Sequence, residues 1–222
     1  MAQSLTPDIQ YYGDSGLLVS YDNDGFSETI CDTVFRLSEV LRESDDWTNV
    51  VPAYDSLLIT FNPMYLDIAS AKEKIETALS SLGKAKRWQK KTPIDIPVYY
   101  GGDNGPDMAT ICESSKLSED KVIKRHSKII YRVCMMGFVP GFAFLSETDK
   151  KLHHPRHQTP KDKVPAGSIG IANWQTGIYG LESPAGWQII GRTPMTIFDP
   201  YRETPFLLKA GDHVRFIPTG EV

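Results

Sequence analysis

The chain has 222 residues, 41% of them hydrophobic and 23% charged, with a formal net charge of −4. That is the make-up of an ordinary globular protein with room for one large or two small domains, and its mild acidity leaves no basic footprint for nucleic acid. No apolar run approaches the roughly 20 residues that span a bilayer. The opening MAQSLTPDIQYYGDSG lacks the basic and apolar regions of a secretory signal, and three scattered cysteines, Cys31, Cys112 and Cys134, suit reduced thiols in the cytoplasm rather than a disulfide framework.

In chain order, Ile9 to Tyr12 and Leu17 to Tyr21 flank Gly13 and Gly16 and read as two short strands or one broken strand. Phe26, Ile30, Val34, Leu37 and Leu41 recur at helical steps and predict an amphipathic helix from Ser27 to about Arg42. Val50-Val51 and Leu57 to Phe61 predict strands around a turn from Pro52 to Asp55. Leu66, Ala69, Ile75, Ala78, Leu79 and Leu82 predict a second helix that stops near Gly83. The order β-α-β-β-α, with a further strand allowed downstream, suits a ferredoxin-like α+β domain over residues 1–83. Residues 84–92, within GKAKRWQKKT, are basic and polar and read as a solvated linker rather than an anion contact.

The second domain, residues 93–222, opens with a strand from Ile94 to Tyr100 and a helix between Ser118 and Lys128. The remainder is short β segments, a barrel or a sandwich by pattern alone. Between Tyr131 and Asp199, glycines and prolines punctuate β-branched runs, which marks strands joined by shaped loops where sites are commonly built. In GFVPGFAFL, Pro140-Gly141 suits the centre of a type II turn, and Gly137, Pro140, Gly141 and Phe142 are candidates for the rim of a substrate pocket. In VPAGSIGIA, the amides around Gly167 and the hydroxyl of Ser168 could cradle an anion. Gln175, Thr176 and Tyr179 offer neutral donors and acceptors, and Arg192, followed by Thr193, offers a planar fork for a carboxylate. A surface pairing of Arg192 with Asp199 or Glu182 is the plain alternative. The run His153-His154-Pro155-Arg156-His157 is not a metal site by its pattern, because Pro155 breaks the helix that would align two histidines and no further ligand stands at metal spacing.

GFVPGFAFL, VPAGSIGIA, QTGIYG, SPAGW and IGRTPMTIFD stand in the order of the blocks of the KipI / allophanate hydrolase subunit 1 family, which the chain resembles over nearly its whole length. GDSGLLV, VPAYDSLLITFNP, IPVYYGGDNGPDM and the closing GDHVRFIP are similar too. The family's Pro-Arg, gap, Pro-Arg pattern is met by Pro155-Arg156 but then by Pro160-Lys161, which keeps the charge and loses the fork. Gly180 and Ala185-Gly186 also depart, from the family's proline and double glycine respectively.

The resemblance implies a cyclophilin-like barrel for the second half and the role of the B subunit in an ATP-dependent 5-oxoprolinase, which cleaves 5-oxo-L-proline to L-glutamate. It also implies a C-type (KipA-like) and an A-type partner of the same enzyme, and Arg156 as a substrate contact. Phosphorylation of the lactam carbonyl oxygen is a physical route, since it would make the ring carbon electrophilic for water. No P-loop pattern is present, so ATP, with Mg, is expected to be held largely by a partner. Ser168, Ser183 and His154 stay open as catalytic groups, and no catalytic residue is assigned. Two other roles belong to the family's range: inhibition of a sensor histidine kinase, and membership of an allophanate or urea amidolyase-type hydrolase.

Overall fold

The computed structural model describes residues 6–22, 25–82 and 92–220. The proposed linker residues 84–91 therefore lie outside the described residues. The chain divides into two compact units, Met1–Gln89 and Lys90–Val222.

In the first unit, β1 (Asp8–Tyr11) and β2 (Gly16–Ser20) form a hairpin, followed by α1 (Glu28–Arg42), β3 (Trp47–Pro52), β4 (Ser56–Phe61) and α2 (Ile68–Ser81). Each helix begins where a polar side chain satisfies first-turn amides: Ser27 accepts from Ile30, and Asp67 from Ala69 and Ser70. The antiparallel sheet runs β1-β2-β4-β3. Alternate residues Leu17 and Val19 of β2, and Leu57, Ile59 and Phe61 of β4, are buried with Val34, Leu37 and Ile75 of the helices. The segment β2-α1-β3 straddles β4, as in a split β-α-β unit. The ferredoxin-like expectation needed an edge strand after α2, but among the described residues that edge is β1, which comes before the helices.

The second unit is a closed barrel with small accessory elements. Its elements are β5 (Ile94–Tyr100), α3 (Met108–Ser115), α4 (Glu119–Ser127), β6 (Ile130–Met136), β7 (Ala143–Glu147), β8 (Lys161–Val164), β9 (Ser168–Ala172), β10 (Gln175–Ile178), β11 (Ser183–Ala185), β12 (Gln188–Arg192) and β13 (His213–Pro218). Seven strands close in the order β10-β7-β6-β13-β5-β12-β9, and β8 pairs with β11 in a separate ribbon. All barrel pairs are antiparallel except β5 with β13, which places the last strand beside the first. Ile96, Val98, Tyr131, Val133, Leu145, Ile169, Ile171, Ile178, Val214 and Phe216 share one core, the period-2 interior of a small barrel filled by side chains. The mainly-β barrel read from the sequence is thus present. Helix α3 has no counterpart in the sequence reading, because MATICESS is short and carries little periodicity.

Candidate functional site

Strand β12 ends at Arg192, which pairs with Ser168 at the start of β9. Beside it lies a pocket of about 440 Å³ whose walls include Tyr99, Asn104, Gly167, Arg192, Thr193 and Phe198. The Arg192 Nε donates to the Ala166 carbonyl at 3.0 Å, which anchors the base of the guanidinium to the 164–168 loop. The plain alternative for Arg192 does not hold, because Asp199 pairs with Arg202 at 3.1 Å and Glu182 with Lys163 at 2.8 Å. The Nη groups have no acceptor among the described residues, so most of the fork remains for a ligand.

Ala166 and Gly167 of the 164–168 loop form part of the pocket wall, and the Gly167 and Ser168 amides are already taken. Gly167 has φ +83°, and a Cβ there would collide with the Thr193 carbonyl. Its N–H donates to Tyr179 O at 2.8 Å, and its carbonyl accepts from Thr193 N at 2.9 Å. The Ser168 N–H and Oγ both donate to Pro165 O, at 3.3 and 2.7 Å. The Gly167 and Ser168 amides, already bonded to Tyr179 O and Pro165 O, are not open to a ligand oxygen, so the expected role of these two residues becomes that of holding the wall and Arg192 in place. Thr193 is buried, and its Oγ1 accepts from Met195 N.

The 137–142 loop joins β6 to β7. The Phe142 N–H donates to Val139 O at 3.0 Å, and Gly141 has φ +78°, which is the type II geometry expected around Pro140-Gly141. A Cβ on Gly141 would lie 2.5 Å from the Phe198 Cβ, so this loop packs tightly on the 197–207 segment at the pocket mouth. A Cβ on Gly137 would meet open space, and the Gly137 carbonyl accepts from Val139 N at 2.9 Å across Phe138. Phe142, expected at a pocket rim, is instead buried edge-on against Phe144, Tyr179 and Trp187, because an alternating strand pattern carries it and Phe144 onto the outer barrel face under the β8–β11 ribbon. Burial pushes the Tyr179 phenol up, with the nearby Arg156 charge opposing. Arg156 lies over the Trp187 ring at 5.8 Å from its centroid.

Gln175 and Thr176 point to opposite faces of β10 and do not reach the Arg192 pocket. Thr176 belongs to a hydrogen-bonded chain in the barrel interior. Its Oγ1 donates to Gly170 O at 2.9 Å, so it must accept from His126 Nε2 at 2.9 Å. The ring is therefore the Nε2–H tautomer, and its Nδ1 accepts from Tyr100 Oη at 2.7 Å. Burial alone holds the His126 pKa down at about 3, and burial pushes the Tyr100 phenol well above its ordinary value. Gln175 is only 9% exposed, and its Nε2 has no partner among the described residues.

These loops match known proteins. Residues 7–208 fit the family model of the carboxyltransferase domain, subdomains C and D. The chain belongs to this family. Within it, the chain is 38% identical to the 5-oxoprolinase B subunit of Escherichia coli O157:H7, over 85% of each protein. It is 34% identical to the 5-oxoprolinase B subunit of Bacillus subtilis, covering 96% of this chain and 93% of that protein. The crystal structure of TTHA0988 superposes with a TM-score of 0.80 at 33% identity, over 93% of this chain but only 40% of that longer one. A distant likeness, 21% identical, reaches 14% of the urea amidolyase of Lachancea kluyveri and does not favour an amidolyase role.

The family blocks also contain a cluster that sequence reasoning missed. Asp107, in the GGDNGPDM block, turns its carboxylate away from its own helix α3. It accepts from Ile189 N at 2.7 Å and from Lys161 Nζ at 2.7 Å to each oxygen, with His157 Nε2 at 3.3 Å. Burial raises this carboxyl, but Lys161, the Ile189 amide and His157 outweigh it and hold the group below the usual carboxylate range. Lys161 thus meets both oxygens despite lacking the fork. The partners lie 54 and 82 residues away, a separation no local pattern reveals. The other two histidines of the 153–157 run bond elsewhere: His153 Nε2 contacts Thr148 O and His154 Nδ1 contacts Pro155 O. Among the described residues no cluster of His, Cys, Asp and Glu could hold a metal ion. The lining of the Arg192 pocket holds one cation and no carboxylate.

Proposed function

We propose that this chain is the B subunit of an ATP-dependent 5-oxoprolinase. In this reading it acts in the cytoplasm with A-type and C-type (KipA-like) partners to cleave 5-oxo-L-proline to L-glutamate, and its second unit is a cyclophilin-like barrel. Identity to B-subunit proteins along most of their length supports the assignment. The observation that carries the chemistry is Arg192: a guanidinium anchored through Nε, with its Nη groups open to a pocket of about 440 Å³. A bidentate contact from this fork suits the carboxylate of a compact lactam acid. Asn104 and the apolar wall at Phe198 complete a site of matching character.

The pocket's lining has no carboxylate, histidine, lysine or cysteine to act as a general base or nucleophile. Catalysis by this chain alone therefore has no support, and ATP with Mg is assigned to a site supplied mainly by partners. The test is glutamate formation from 5-oxo-L-proline and ATP by the purified chain, alone and mixed with its A-type and C-type partner proteins. Turnover is expected only in the mixture. Robust turnover by the single chain, or none by the complete mixture, would overturn the proposal.

A further inference from the structure

On one edge of β12, β5 stands opposite Gly191 and Arg192, with Tyr100 and Tyr99 as their partners. Toward Gln188 the 101–107 turn continues that edge. Gly101 N donates to Ile190 O at 3.1 Å. Asp107 then comes back to the strand and takes both main-chain groups of Ile189. Its N–H donates to Ile189 O at 2.9 Å, and its carboxylate accepts from Ile189 N at 2.7 Å. A side-chain oxygen thus stands where a strand carbonyl would. The turn fits closely, because a Cβ on Gly105 would collide with the Ile190 carbonyl. On the other edge, the register of β12 slips at the same point: Ile189 stands opposite Gly170, but Gly191 stands opposite Ile169. Such a bulge sets which face the following side chains take. Two residues beyond Ile190 comes Arg192, whose Nε reaches Ala166 O.

A neutral side chain could accept from Ile189 N. Asp107 is instead a charge that is only 6% exposed, which is costly unless it is paired. The charge binds further chain: Lys161 Nζ meets both oxygens at 2.7 Å, and His157 Nε2 stands 3.3 Å from Oδ2. Three separate stretches, the 101–107 turn, β12 and the 157–161 segment, therefore meet at one carboxylate. Neither Asp107 nor its two cationic partners line the Arg192 pocket, whereas Asn104, in the turn that Asp107 closes, does.

We infer that Asp107 is a positioning residue: through Ile189 it fixes the β12 bulge and so directs Arg192 into the pocket. It acts through Arg192 without touching substrate, and Lys161 holds its carboxylate in place. Its kinetic consequence rests on the 5-oxoprolinase reading above.

The experiment has two readouts. Heteronuclear NMR of the full chain follows hydrogen exchange at the Arg192 Nε–H, with Arg192→Lys to assign the signal. Kinetics follow glutamate formation from 5-oxo-L-proline by the chain mixed with its A-type and C-type partner proteins. In wild type the Nε–H is bonded to Ala166 O and should exchange slowly. Asp107→Ala should speed that exchange about tenfold or more and raise KM about tenfold or more. Asp107→Asn keeps an acceptor for Ile189 N but releases Lys161, and should fall between the two. In an Arg192→Lys background, Asp107→Ala should change KM by less than about twofold, because a contact already lost cannot be lost again. Wild-type exchange in Asp107→Ala, or equal KM losses in both backgrounds, would overturn the inference and leave Asp107 a packing residue. If Asp107→Ala does not fold, Lys161→Met takes its place: smaller shifts of both signals in the same direction are expected, and no shift in either overturns the inference. If the wild-type mixture makes no glutamate, the 5-oxoproline reading fails, and exchange at the Nε–H alone decides the role of Asp107.

Discussion

The barrel holds two polar clusters with opposite bonding states. In the interior, Tyr100, His126, Thr176 and the Gly170 carbonyl form an unbroken chain in which each hydrogen has one acceptor. At the pocket, Arg192 uses only Nε within the described structure. Both clusters contain residues that the sequence marks as binding candidates, Thr176 in one and Arg192 in the other. Saturation separates them: a closed chain specifies packing, whereas open donors held in a fixed position await a ligand.

The largest test of this contrast is acid. The folded pKa of His126 lies at about 3, below the ordinary value of 6.5, so the unfolded chain takes up the proton first. That contribution to stability is complete above pH 6.5 and is lost as pH falls toward 3, at about 1.4 kcal/mol per pH unit. Urea midpoints should therefore report a loss of about 2 kcal/mol between pH 6.5 and 5, before most carboxylates titrate. A flat profile in that window would place the imidazole in a wetter site. Next, Thr176→Val leaves the Nε2–H of His126 without an acceptor and should cost about 2 kcal/mol. The same variant should leave kcat/KM of the assembled enzyme within about twofold, and a large kinetic effect would join the two clusters functionally.

At the pocket the signs reverse. Arg192→Lys should lower kcat/KM of the assembled enzyme about tenfold or more through the lost bidentate contact, while shifting stability by less than about 0.5 kcal/mol. Unchanged kinetics with a lowered melting temperature would make Arg192 structural. The smallest energetic effect is expected from cutting the chain between the units. Trypsin should cleave within residues 84–91 and leave the carboxy-terminal fragment with its barrel and its small-anion binding intact. Degradation without a stable fragment would argue against independent folding.

Local signals carry far in this sequence. Steps of three and four place α1 and α2, Ser27 stands where α1 begins, and Pro140-Gly141 specifies its turn. What stays illegible depends on distance. Gly167 and Ser168 have the composition of an anion loop, but Tyr179, Thr193 and Pro165 take their bonds, and nothing in VPAGS announces that. Phe142 and Tyr179 differ from pocket aromatics only in which face of a closed barrel they occupy. Asp107 carries no mark in the sequence, and only folding brings Lys161 and Ile189 to it. The N-terminal sheet departs from expectation for a related reason: short hairpin strands do not declare which edge they will fill.

The parallel pairing of β5 with β13 has a consequence for synthesis. Val214 meets Ile94, and Arg215 bridges both oxygens of Asp95 across 120 residues of chain. Until β13 emerges, β5 and β6 each present an unpaired edge on an otherwise apolar half-barrel. At ribosomal rates of about 5–20 residues per second, that gap stays open for roughly 6–24 s. During this interval the nascent chain is most exposed to mispairing and chaperone capture. A slowly translated stretch before residue 213 would lower soluble yield without altering a single contact of the finished protein.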